Sequence, residues 1–162
     1  MRSLKVAVLG VAAAALISGA ALAADMPMLE DDFVSDPSIW DGLYVGASGG
    51  FYLSGYGDVD LVAGFNFTPA DMFVLGVEGG VGAYFGPSSG LEAYVSARAG
   101  IALTDTALVY GTVGTYIYGG GGTSPFIGAG VEFALDDSMS ARIQGITFGG
   151  DGIISAGLFW HL

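Results

Sequence analysis

Two arginines and three glutamates carry most of the chemical potential of this chain. Arg98, Arg142, Glu78, Glu92 and Glu132 lie in otherwise apolar, glycine-rich stretches. An ion persists in such surroundings only beside a counter-ion and hydrogen-bond partners. If the five share one interior they form either a gate in an ion path or a plug of salt bridges, and the plug is the expectation here. His161 is the only histidine, and Ser155 precedes it by six residues on the same alternation. At ~3.3 Å per residue of strand the two are roughly 20 Å apart, far beyond the ~3 Å of a Ser–His proton transfer, although Ser138 and Ser140 stay open as neighbours. Asp58, Asp60 and Asp151 offer oxygens of the kind Ca²⁺ and Mg²⁺ take, but they match no metal-loop spacing and read as a solvated acidic rim. Gly119 to Gly122 lacks the Lys-Ser/Thr ending and following helix of a phosphate loop. No metal, cofactor or catalytic site is therefore expected.

The elements that hold these residues are read from a period of two. Between Met72 and Gly86, Phe73, Leu75, Val77, Gly79, Val81, Ala83 and Phe85 alternate with Val74, Gly76, Glu78, Gly80, Gly82 and Tyr84. Successive side chains of a strand point to opposite faces, so one face is oily and the other is glycine with a carboxylate. The pattern recurs eight times, with strands starting near Trp40, Val59, Phe73, Leu91, Leu108, Ile127, Met139 and Ile154. Turn residues separate them: Ser54 to Asp58, Pro69 to Asp71, Gly86 to Ser89, Thr104 to Thr106, Gly119 to Ser124, Asp136 to Ser138 and Gly149 to Gly152. The strand Leu108 to Tyr118 is ambiguous, because either Leu108, Tyr110, Tyr116 and Tyr118 or Val109, Val113 and Ile117 can form the oily face. The tyrosines are placed outward as interfacial aromatics.

The chain of 162 residues is 52% hydrophobic and has no cysteine, so no disulfide holds it. Arg2 and Lys5 precede the apolar run Val6 to Ile17 and a small-x-small triplet at Ala21, Leu22 and Ala23, the pattern of a secretory signal over residues 1–23. An acidic, flexible lead-in is expected over 24–38, and one domain over 39–162. Beyond Ala23 stand all sixteen carboxylates against two guanidiniums, which excludes nucleic acid as a partner because phosphate binding needs clustered Lys and Arg. No later stretch reaches the ~20 apolar residues of a helical span. The remaining way to satisfy every backbone N–H and C=O in hydrocarbon is a closed barrel. The sequence therefore predicts an all-β, eight-stranded, antiparallel up-and-down transmembrane barrel, with an apolar belt outside and a narrow polar lumen inside. Arg98 and Arg142 fall on the lumen side with Glu78, Glu92 and Glu132. Phe51, Phe67, Phe73, Phe85, Tyr110, Phe133 and Trp160 fall near strand ends on the outer side, as girdles at the lipid boundaries.

Trp40-Asp41-Gly42-Leu43-Tyr44-Val45-Gly46 resembles the W-x-G-x-Y-x-G opening of small outer-membrane β-barrel proteins of the Omp25/Omp31 type of alphaproteobacteria, and Gly157-Leu158-Phe159-Trp160-His161-Leu162 resembles their last strand. The resemblance implies an outer-membrane structural or porin-like protein, with lipid and lipopolysaccharide around it and the barrel assembly machinery as its partner in biogenesis. Such proteins usually end in an aromatic residue, where this chain has Leu162. An even strand count puts both ends on one side. The expectation is termini and three tight turns in the periplasm, four short loops outside, and a role in envelope integrity with a closed lumen, or alternatively as a narrow channel for small solutes.

Overall fold

A computed structural model describes residues 39–70 and 72–162; the expected signal and acidic lead-in lie outside the described residues. Eight strands follow in chain order: β1 (Gly42–Tyr52), β2 (Gly57–Ala70), β3 (Phe73–Phe85), β4 (Gly90–Thr104), β5 (Ala107–Tyr118), β6 (Thr123–Ala134), β7 (Met139–Phe148) and β8 (Asp151–His161). Each pairs antiparallel with its neighbour, and β1 pairs with β8, which closes the barrel. The seam runs from Tyr44 opposite His161 to Tyr52 opposite Ile153, and the Leu162 N–H extends it by donating to the Leu43 carbonyl at 2.8 Å. No helix occurs among the described residues.

Connections are short at both ends. At one end, here the turn end, lie the two chain ends of the barrel and the links from β2 to β3, β4 to β5 and β6 to β7. In the last of these, the Asp136 carboxylate accepts the N–H groups of Ser138 and Met139, both at 2.8 Å, and the Ser138 hydroxyl at 3.0 Å. Those donors, Ser138 foremost, hold its carboxyl below the usual carboxylate range. At the opposite, loop end, β7 and β8 are joined by Gly149 and Gly150 alone, with φ of +52° and +89°. A two-residue hairpin with both residues left-handed matches the twist of its strands and is open to glycine at little steric cost.

The pleat sorts the side chains as the alternation predicts in seven strands. On the strands 23 large apolar side chains stand outward, among them Leu61 (68% exposed) and Ile127 (62%). Removing one such side chain from water is worth about 1.5–3 kcal/mol, so this belt requires an apolar surround. The exposed carboxylates Asp41, Asp105, Asp136 and Asp137 all lie between or before strands. Phe51 and Phe85 are outward near the loop end, and Phe67, Phe73, Phe133 and Trp160 near the turn end.

The fifth strand corrects the expectation. Leu108, Tyr110 and Tyr116 are buried in the lumen, while Val113 and Ile117 are outward, so Tyr110 is not part of a girdle. Residues directly opposite in a sheet share a face, and Tyr110 stands between Gly100 and Gly130 just as Thr112 stands opposite Arg98. A register shift between Ala102 and Thr104 adds one residue before the turn and breaks the parity that simple alternation would carry across it. The first strand also starts later than expected: Trp40 precedes β1 and is buried, 1% exposed, with its ring edge-on to His161 at 5.9 Å.

The belt generates a prediction. Val95→Arg, near the middle of β4 and outward, should destabilise the barrel by about 2–4 kcal/mol in urea unfolding from lipid vesicles. Val95→Leu should leave the midpoint nearly unchanged.

Candidate functional site

The lumen is the only part of the described fold where ions, hydroxyls and aromatic rings converge. Its turn-end floor is apolar, built from Trp40, Val74, Leu108 and Tyr110. Above it lies an ion cluster to which four strands contribute one residue each: Glu78 from β3, Arg98 from β4, Glu132 from β6 and Arg142 from β7. Glu132 and Arg142 are direct cross-strand partners. Arg98 NH2 donates to Glu132 Oε2 at 2.8 Å and Arg142 Nε donates to the same oxygen at 3.0 Å. Arg142 NH1 reaches across the lumen to Glu78 Oε2, which lies 3.7 Å from Arg98 NH1. The charges cancel, two against two. None of the four residues is more than 6% exposed.

Hydroxyls and rings complete the cluster, as an ion in a low-dielectric interior requires. Tyr44 OH and Tyr94 OH donate to the two oxygens of Glu78 at 2.7 and 2.9 Å, and Ser140 Oγ donates to Glu132 Oε1 at 2.6 Å. The Arg98 guanidinium lies 4.1 Å over the Tyr110 ring and that of Arg142, whose Nη2 has no hydrogen-bond acceptor among the described residues, 3.7 Å over Phe159, both cation–π contacts. Tyr110 OH donates to Gln144 Oε1 at 2.8 Å.

The large rings fit because glycine stands opposite each of them. Tyr44 pairs with Gly64, Tyr94 with Gly80, Tyr110 with Gly130 and Phe159 with Gly46. A Cβ on Gly80 would fall 2.2 Å from the Tyr94 ring, and one on Gly130 would fall 2.5 Å from the Tyr110 hydroxyl. Ring and missing side chain are thus one packing unit across two strands. Beside the ion cluster, the gap bordered by Ser48, Tyr94, Arg142, Gln144 and Ser155 has no space for a water molecule.

Toward the loop end six rings close on themselves. Tyr52, Tyr56, Tyr84, Tyr118, Tyr116 and Phe148 follow one another with centroid separations of 5.8 to 6.3 Å, and Phe148 returns to Tyr52 at 5.8 Å.

Two expectations about the site change, and one left open is decided. Glu92 faces the lumen but stands apart from the arginines: it accepts Tyr52 OH at 2.7 Å and gathers with Asp58 and Asp60. Asp58 and Asp60 are not a solvated rim, being 3% and 5% exposed and directed inward. Of the two serines left open as neighbours of His161, Ser140 meets it, with Nε2 2.9 Å from Ser140 Oγ. That triple, Ser140, His161 and Glu132, has the residue types of a nucleophile relay but not its wiring. The one hydroxyl proton of Ser140 goes to Glu132, so the His161 Nε2–H must donate to the serine oxygen. The serine proton then faces a carboxylate that both arginines already engage, and not the imidazole, and Ser140 is fully buried.

No protein-family model and no curated protein matches the sequence. Solved structures do match. A de novo designed transmembrane β-barrel superposes with TM-score 0.61 at 17% identity, over 79% of this chain and 98% of the design. The N-terminal β-barrel domain of OprF from Pseudomonas aeruginosa superposes with TM-score 0.54 at 15% identity, over 73% of this chain and 95% of the domain. The outer membrane enzyme PagL gives 0.50 at 17% identity, over 72% and 97%. The fold is that of a transmembrane β-barrel.

Removing one member of the ion cluster strands its partners. Arg142→Met should cost about 3–5 kcal/mol in equilibrium unfolding, as for other broken buried pairs. Adding Glu132→Gln to it should cost much less than the sum of the two single changes, because the second change removes the charge that the first left unpaired.

Proposed function

We propose that this protein is a closed structural barrel of a Gram-negative outer membrane that contributes to envelope integrity. The observation that carries the reading is the ion layer: four buried charges that cancel, tied across the lumen, beside a gap too small for water. An ion path would need mobile or hydrated charges at this level. Gly80 and Gly130, which could thin the wall of a channel, lie against Tyr94 and Tyr110, and this supports packing over a water-lined wall. The connections of two to four residues at the loop end offer little surface for a specialised adhesive head. The buried Ser140, its proton committed to Glu132, favours a protein that is not an enzyme.

The same reading places the termini and the three tight turns in the periplasm and the belt against lipid and lipopolysaccharide. The barrel assembly machinery is the partner during insertion. The likeness of the Trp40 to Gly46 and Gly157 to Leu162 segments to the Omp25/Omp31 group accords with this assignment.

Purified full-length protein in planar bilayers should give no steady single-channel steps, while running as a compact, heat-modifiable band in detergent electrophoresis. Reproducible conductance that falls when Gly80 or Gly130 is replaced by a bulky residue would replace the structural role with that of a narrow channel.

A further inference from the structure

Three carboxylates in the loop-end half of the lumen form no ion pair with an arginine or histidine among the described residues. Asp58, Asp60 and Glu92 come together through the register. Gly82 on β3 stands directly opposite both Asp60 on β2 and Glu92 on β4, and Gly50 on β1 stands opposite Asp58. Each glycine opens the space that a carboxylate enters: a Cβ on Gly82 would strike the Asp60 carboxylate, and one on Gly50 would lie 2.7 Å from Asp58 Oδ1. One oxygen from each acid lies within 4.8 Å of those of the other two.

A second observation points to an occupant. Asp58, Asp60 and Glu92 are 3%, 5% and 4% exposed, and Asp58 Oδ1, Asp60 Oδ1 and Glu92 Oε1 are buried with no hydrogen-bond partner among the described residues. Tyr52 OH holds the other oxygen of Glu92 at 2.7 Å, which leaves Oε1 for a different partner. Neither lumen guanidinium is to spare, since Arg98 and Arg142 are engaged by Glu78 and Glu132. Ionised together and without a counter-ion, the three would repel one another strongly in a low-dielectric interior.

We propose that Asp58, Asp60 and Glu92 form a binding site for a divalent cation of the calcium class. Oxygens no more than 4.8 Å apart can share one ion at the about 2.3–2.6 Å bond lengths of Ca²⁺, which also accepts irregular geometry and water as further ligands. Carboxylate oxygens are the donors such a hard ion selects. The ion would offset two of the three carboxylate charges in the loop-end half of the lumen, where the two arginines offset both carboxylates of the middle.

The test uses the full-length chain refolded in detergent without lipopolysaccharide, stripped with EDTA and titrated at neutral pH with TbCl₃ and then CaCl₂. Expected is saturable, tyrosine-sensitised Tb³⁺ emission, one ion per barrel, displaced by Ca²⁺. Asp60→Asn and Glu92→Gln should each weaken binding at least about tenfold, because affinity at such sites follows the number of charged ligands. Asp151→Asn, at the loop end outside the triad, should bind as the parent does. Absence of saturable emission from a barrel that still shows heat-modifiable migration overturns the proposal, as does emission undiminished in Asp60→Asn. Should the variants fail to fold, carboxyl carbon resonances of the parent barrel decide: Ca²⁺ must move those of Asp58, Asp60 and Glu92, and stationary resonances mean that protons, not a metal, balance the triad.

Discussion

A backbone amide inside hydrocarbon has no water to bond with, and this single constraint organises the molecule. Open sheet edges there would leave each N–H and C=O several kcal/mol short, so the first and last strands must meet. They do, along nine opposed residue pairs from Tyr44 and His161 to Tyr52 and Ile153. Once the sheet is closed, its pleat divides every strand into a face toward lipid and a face toward an interior only as wide as eight strands allow.

That narrow interior explains its contents. It is filled by aromatic rings seated on glycines, with two guanidiniums shared between two carboxylates, since ions in so enclosed a space must be paired. The pairing of Tyr44 with Gly64 and Tyr94 with Gly80 keeps combined side-chain volume nearly level around the wall, which lets the barrel remain regular while its centre is packed. The ion layer lies between the floor around Trp40 and the ring of six aromatics toward the opposite end.

The strands and their facing were legible in the sequence wherever one face was plainly oily and the other carried glycine or an ion, as from Phe73 to Phe85. The inward facing of Arg98 and Arg142 was legible for an energetic reason, since a guanidinium turned to lipid is expensive. Leu108 to Tyr118 was not, because tyrosine suits a lipid boundary and a packed lumen equally, and only register against Gly100 and Gly130 decides. Alternation assigns a face but not a height along the axis. For that reason Glu92 was grouped with arginines it does not touch, and the choice between Ser138 and Ser140 as the neighbour of His161 stayed open. Asp58 and Asp60 were misjudged for a related reason: their nearness to a turn suggested water, whereas Gly50 and Gly82 on neighbouring strands admit them to the interior.

Because each strand neighbours its successor and the eighth neighbours the first, the sheet has no privileged beginning. The ends at Gly42 and Leu162 meet at the seam, where Leu162 bonds to Leu43. A short linker there, with the chain cut instead between Gly149 and Gly150, would preserve every ladder in a circularly permuted protein. The order in which the strands are synthesised is thus separable from the architecture they reach.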